Sequence, residues 1–352
     1  MSAYTPAQLA DKFVRFADEC QPGSPLYAYL SPRIAADADL IDLARATRPG
    51  QPPPNMLFGA AHYLLLGDRR HPLAGYYATL GGAEPPGESA FAAFRDFCLG
   101  HAGVIRPLLA ARITQTNETR RCAYLLPAFQ TVAAQSGRPL ALLEIGPSAG
   151  LNMLWDRYRY DYGELQAGDP AAPVCIASEL RGPARPPIPA RMPAVAWRCG
   201  VEISPPDLGD ADAVRWLEAL IWPEKTERMD RLRAAIAMAR SAPPPIIAGD
   251  ALALLPAMIA AAPADAALCV YHTHVTYQLS HEGRARLGAI LAEAGRGRTI
   301  YRLGCEGSSL GDARLTLTVY AGEVLEERPL ATASGHGDWV EWVAAGGESR
   351  EG

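Results

Sequence analysis

The chain has no uninterrupted apolar run of the ~20 residues that a membrane-spanning helix needs. Its most apolar stretch, Ile246–Tyr271, is broken by Asp250, Pro256, Pro263 and Asp265. It has no Cys-x-x-Cys pair: the seven cysteines stand far apart, at 20, 98, 122, 175, 199, 269 and 305. Reduced thiols inside apolar segments are therefore expected, rather than a disulfide frame or a zinc site. It has no basic stripe either. The densest basic clusters are Arg69-Arg70-His71 and Arg120-Arg121, and the formal net charge is −5. That balance excludes a broad phosphate-neutralising face, so nucleic acid is not an expected partner. The opening residues Met1–Pro6 lack the charged and apolar regions of a secretory signal. A cytoplasmic protein with neither membrane nor nucleic acid as partner is expected.

What is present is the composition of a globular protein, 49% apolar and 20% charged. With 352 residues the chain is long enough for two ordinary cores. Thr5-Pro6 reads as a helix cap followed by proline in the first turn. Leu9, Phe13, Phe16 and Cys20 then recur at helical spacing. Helical patterns continue at 36–46, 55–66, 88–99 and 104–113, and a long one covers Asn117–Gln135. Pro- and Gly-rich punctuation separates them, and no strand is expected before residue 139.

Beyond Ser136-Gly137-Arg138-Pro139 the pattern changes. Leu140–Ile145 is a short buried run of the parallel-strand kind. Further strands are expected at 195–203, 245–248, 267–272, 299–304 and 313–320. Helices at 211–221, 227–240, 251–261 and 282–294 separate most of them. This alternation implies an α/β fold with a mostly parallel, doubly wound sheet, preceded by an all-helical N-terminal region. The expected domains are 1–136, helical, and 137–345, α/β, with a Pro- and Gly-rich insertion at about 160–193 holding at most one strand, 174–180.

The chemistry is expected where Leu142-Leu143-Glu144-Ile145 runs into Gly146-Pro147-Ser148-Ala149-Gly150 and then a helix from Leu151 to about Tyr160. Small residues let a backbone approach a ligand closely, and a helix start offers unpaired N–H groups. An acidic strand end suits hydroxyls or an amino group better than a pyrophosphate. This segment resembles the first motif of class I S-adenosylmethionine-dependent methyltransferases, acidic-x-Gly-x-Gly-x-Gly, with Ser148 replacing the middle glycine. The likeness extends to Gly200-Val201-Glu202-Ile203, similar to the second strand end whose acid binds ribose hydroxyls. It also extends to Ala248-Gly249-Asp250-Ala251, similar to the third strand end that meets the adenine amino group. The resemblance implies a Rossmann-like fold and an S-adenosylmethionine site formed by Glu144, Gly146, Ser148, Gly150, Asn152, Glu202, Asp250 and Ala251. The longer-than-usual gaps between the three motifs are expected to form a lid or substrate platform.

Most of the chain also resembles a bacterial family known only as a domain of unknown function. Thr116-Asn117-Glu118 with Arg121, Gly150-Leu151-Asn152 with Asp156-Arg157-Tyr158, Arg215-Trp216-Leu217 with Trp222-Pro223-Glu224, and Val270-Tyr271-His272 carry that likeness.

Within the methyltransferase reading, the end of the fourth strand faces the reactive methyl group. That makes His272 a candidate general base, with Tyr277, Asn117, Glu118 and Arg121 as candidate contacts to a small-molecule acceptor. The start of the Asn117–Gln135 helix is expected on the side of the Gly146–Gly150 loop. Two alternatives remain open. Gly146–Gly150 also matches Gly-x-Ser-x-Gly, the nucleophile elbow of α/β-hydrolases. Ser148 would then act with Asp250 and one of His272, His274 or His336. The other alternative is a non-catalytic nucleotide-binding module.

Overall fold

Helices begin where the chain supplies caps. The Thr5 side chain accepts from the Gln8 backbone N–H while the Gln8 side chain accepts from the Thr5 N–H. This reciprocal box starts a helix at Pro6–Cys20 that buries Leu9, Phe13, Phe16 and Cys20. The computed structural model describes residues 4–307 and 312–343. Residues up to Asn117 together with Asp207–Arg233 form one compact unit; Glu118–Pro206 and the residues from Ala234 onward form a second.

The first unit is helical, with helices at Pro6–Cys20, Pro25–Ala35, Ala38–Ala44, Pro53–Gly67, Glu88–Gly100, Ala102–Ala111 and Ala211–Ala219. Among the described residues no strand precedes Leu140, as the sequence led us to expect. Phe58 sits at its centre, stacked on Tyr27 at 3.9 Å between centroids and packed against Phe94 at 5.3 Å. Trp216 belongs to this core, its indole N–H donating to the Ile113 carbonyl at 2.8 Å. The helix Pro25–Ala35 was not expected; Pro32 lies inside it and breaks the usual pattern.

The second unit contains the strands β1 Leu140–Ile145, β2 Arg159–Asp161, β3 Gln166–Ala167, β4 Cys175–Ala177, β5 Glu179–Arg181, β6 Val195–Glu202, β7 Ile246–Ala248, β8 Ala267–Thr273, β9 Ile300–Gly307, β10 Asp312–Tyr320, β11 Val324–Ser334 and β12 Trp339–Trp342. Nine of them form one sheet in the order β5-β12-β11-β10-β9-β8-β1-β6-β7. From β7 to β9 every neighbouring pair is parallel, and β5 is parallel to β12. β9, β10, β11 and β12 pair antiparallel in succession, so the sheet is mixed.

Side chains alternate across β1. Ala141, Leu143 and Ile145 face a core with Leu255 and Ile259 of the helix Ala251–Ala261 and Leu287 and Leu291 of the helix His281–Gly295. On the opposite face, Phe129 of the helix Cys122–Ser136 packs on Tyr271 and Trp155, at 5.0 and 4.8 Å. Helices thus cover both faces, as a parallel sheet requires.

Three local expectations are corrected. The helix expected over 117–135 starts at Cys122, after a 3₁₀ turn at Thr119–Arg121 capped by the Glu118 side chain. The helix expected over 151–160 is a 3₁₀ segment, Leu151–Arg157, which gives way to β2. The insertion holds not one strand but several. β2, β3 and β4 form a separate small sheet, and β5 joins the edge of the main one.

Candidate functional site at the carboxyl edge of the sheet

Because β1, β6, β7 and β8 run parallel, their carboxyl ends lie along one edge, and strand order reverses there on either side of β1. This is where open α/β sheets bind ligands. The expected motif residues follow these strand ends, and backbone bonds tie them together. The Ser148 N–H donates to Glu202 Oε2 at 2.8 Å, and the Gly249 N–H donates to the Glu202 carbonyl at 2.9 Å. The loops after β1 and β7 therefore both converge on the last residue of β6. Glu202 Oε1 accepts from the Ser204 N–H at 3.2 Å.

The loop after β1 needs left-handed backbone at three positions, with φ +68° at Gly146, +52° at Ser148 and +72° at Gly150. Glycine is obligatory at two of them. A Cβ on Gly146 would lie 2.8 Å from Val275 Cγ2, and one on Gly150 would lie 2.7 Å from Pro244 Cγ. Ser148 takes the same conformation with a side chain, which L-residues adopt at a penalty. Asn152 lies one turn further, its Oδ1 3.5 Å from Cys122 Sγ. Asp250 caps the helix beginning at Ala251, accepting from the Leu252 N–H at 2.8 Å.

Glu144 is placed differently from the expectation of an acid at an open strand end. It is 2% exposed, on the face that carries Tyr271, whose hydroxyl donates to Glu144 Oε2 at 2.9 Å. Burial pushes its carboxyl up to about 8, against the Tyr271 hydrogen bond and the Arg121 charge, which favour the anion. Burial thus favours the neutral form of Glu144.

His272 is also enclosed, 1% exposed in β8. Its Nδ1 meets Glu306 Oε1 at 2.7 Å, and its Nε2 faces the Arg302 guanidinium at 3.1–3.2 Å. Arginine can only donate, so Nε2 accepts and Nδ1 carries the proton. Burial lowers the histidine's pKa, opposed by Glu306. Both nitrogens are engaged, and the role expected for His272 as a base does not match this arrangement. The same bonds remove His272 from a Ser-His-Asp triad with Ser148.

The remaining candidates separate. Arg121 is buried beside the end of β8, with Nη1 3.4 Å from both the Thr273 carbonyl and Oγ1 and Nε donating to the Gly335 carbonyl at 3.2 Å. With Cys122 beside Asn152, this puts the start of the 122–136 helix on the side of the Gly146–Gly150 loop. Glu118 is buried and accepts from the Arg120 N–H at 3.0 Å. Tyr277 is 67% exposed in the turn after β8. Asn117 is the exception: it belongs to the helical unit, where it lines a cavity with Tyr27, Asn55, Phe58, Thr116 and Trp222.

Three partners were missed by the sequence reading: Tyr271, Arg302 and Glu306. The signal that reveals the last two is the β8–β9 register, which sets His272 opposite Gly304. Arg302 and Glu306 then flank it two residues away on either side, pointing to the same face.

The fold and this edge define an α/β protein whose sheet is covered on both faces and whose polar residues gather at the strand carboxyl ends. Residues 10–342 match the family described as "uncharacterized protein conserved in bacteria (DUF2332)", and the chain belongs to that family. No curated protein matches it. Among the described residues no helix is long and apolar enough to cross a membrane.

Proposed function

We propose that this protein binds S-adenosylmethionine at the carboxyl edge of β1, β6 and β7 and transfers its methyl group to a small molecule. The observation that carries the reading is the convergence on Glu202: Ser148 of the first motif and Gly249 of the third both bond to it. Strand order supports it further. Numbered by appearance among the parallel strands, β7-β6-β1-β8-β9 reads 3-2-1-4-5, the order of Rossmann-type sheets with the ligand at the reversal point.

The residues present fit the cofactor. Each oxygen of Glu202 takes one backbone N–H, and a carboxylate has about four lone-pair sites, so both can accept from ribose hydroxyls. The second oxygen of Asp250, which follows Gly249, would meet an amino group, and glycine at 146 and 150 leaves those two loop positions without side chains. When bound, the cofactor supplies an electrophilic methyl on a sulfonium. The chain's own task is then to hold an acceptor in line with that methyl and to exclude water. Arg121, Thr273 and the turn containing Tyr277 border the place where the acceptor would sit.

Calorimetric titration with S-adenosylmethionine, S-adenosylhomocysteine and NAD side by side tests the proposal. The two sulfur nucleosides should bind and NAD should not. Glu202→Ala should weaken binding at least about tenfold, since hydrogen bonds to a charged group contribute about 1.5–3 kcal/mol each. Absence of binding at millimolar sulfur nucleoside would remove the reading.

A further inference from the structure

The helical unit holds a cavity that the reading above does not use. Every residue lining it lies within that one unit. The space open to the centres of water-sized groups is about 60 Å³. One water needs about 10–15 Å³ of such space, so the cavity has room for several waters or for one small organic molecule. Four of its lining residues, Thr116, Asn117, Leu217 and Trp222, come from segments already singled out in the sequence.

The walls are of two kinds. Phe58, stacked on Tyr27 at 3.9 Å, and Trp222, 6.4 Å from Tyr27 and edge-on to Phe16 at 5.9 Å, form an aromatic wall that Leu217 and Leu232 extend. Polar groups enter from three places. Asn55 stands one turn before Phe58 on the helix Pro53–Gly67, and Arg228 one turn before Leu232 on the helix Thr226–Ser241. The stretch 114–117 is tied down at Thr114, whose N–H and hydroxyl both donate to Gln51 Oε1, at 2.7 and 2.9 Å. Among the described residues lining the cavity none is acidic, and Arg228 alone carries a charge. Glu224, four residues before Arg228, is turned to the Leu26 N–H at 2.9 Å and does not line it. The Asn55 amide and the Trp222 indole N–H have no hydrogen-bond partner among the described residues.

A cluster of waters would lie against Phe58, Leu217 and Leu232 with nothing there to bond. An apolar enclosure with a few placed polar groups is the construction of a small-molecule site. Arginine and an indole N–H can only donate, and the amide of Asn55 can donate as well. Donors around a single positive charge call for a monoanion with accepting oxygens. A phosphate dianion would draw a second cation, and none lines the cavity. We propose that the helical unit binds a small carboxylate with an apolar body. Its oxygens take Arg228, Asn55 and the Trp222 indole N–H, and its body lies against Phe58, Leu217 and Leu232. The proposal stands independently of the methyltransferase reading.

The test uses the full chain labelled with ¹⁵N-tryptophan, the Trp222 indole signal being assigned by its loss in Trp222→Phe. The probes are benzoate, its neutral counterpart benzamide, and acetate, which has the charge without the body. Benzoate should shift the Trp222 signal saturably, with half-saturation near about 1 mM. Benzamide and acetate should each bind at least about tenfold more weakly. Arg228→Gln should weaken benzoate at least about tenfold and leave benzamide unchanged. Should Arg228→Gln fail to fold, the comparison of benzoate with benzamide on the wild type still decides. No saturable shift at about 50 mM benzoate means that the cavity holds water only and overturns the proposal. Equal binding of benzoate and benzamide, or a shift confined to tryptophans other than Trp222, overturns it as well.

Discussion

Replacing Glu144 with glutamine should change how stability depends on pH, in an amount the structure sets. The carboxyl is buried under Tyr271, and burial raises its pKa from the ordinary 4.5 to about 8. A group raised on folding contributes stability that is fully present below its unfolded pKa and is lost as pH rises through the folded one. Between about pH 5.5 and 7 the folded protein thus holds about one proton more than the unfolded chain at this site, a slope of about 1.4 kcal/mol per pH unit that falls off as pH nears 8. From pH 5.5 to 7.5 the wild type should lose about 2–3 kcal/mol relative to Glu144→Gln. The amide keeps the shape and accepts from Tyr271 without titrating. Urea unfolding of both proteins at pH 5.5, 6.5 and 7.5 measures this directly. His272 and His274, whose pKa values are lowered, also respond in this range. They are common to both proteins and cancel in the difference. Parallel stability curves would show that Glu144 is ionised in the folded state and refute the reasoning.

Ser148→Gly should raise stability by about 1 kcal/mol, because φ +52° penalises a side chain but not glycine. Chemical denaturation measures it, and a fluorophosphonate should not label the wild-type serine; specific labelling would restore the hydrolase reading. Gly146→Ala should lower stability by about 1–3 kcal/mol, since its Cβ would meet Val275 Cγ2 at 2.8 Å in left-handed backbone. An unchanged melting temperature would contradict this. Asp156 and Arg198 form a largely buried two-bond pair at 2.8 and 2.6 Å. Asp156→Ala should cost about 3 kcal/mol by stranding the guanidinium, and adding Arg198→Met should recover much of it. No recovery in the double variant would mean that the loss is one of packing.

The centre of the parallel sheet was legible because β1 and β8 are short buried runs, with every residue of Leu140–Ile145 and Ala267–Thr273 enclosed. β11 was not, because Val324–Ser334 mixes Glu326, Glu327, Arg328 and Pro329 into one long antiparallel strand that neither period describes. The three motif ends could be read from local sequence because glycine and acidic residues mark turns and strand ends. Enclosure could not. Glu144 and His272 looked like free functional groups until strand register brought in Tyr271, Arg302 and Glu306, which lie 30 to 127 residues away along the chain. Asn117 and Arg121 share one helical pattern in the sequence, yet a 3₁₀ turn intervenes and the division between the two units falls just after Asn117.

The most direct test of the central claim is a crystal structure of the protein grown with S-adenosylhomocysteine. The account predicts the ribose hydroxyls on Glu202, the adenine amino group toward Asp250, and the sulfur facing the end of β8. A ligand seated elsewhere, or a Gly146–Gly150 loop that stays bare at saturating nucleoside, would contradict it.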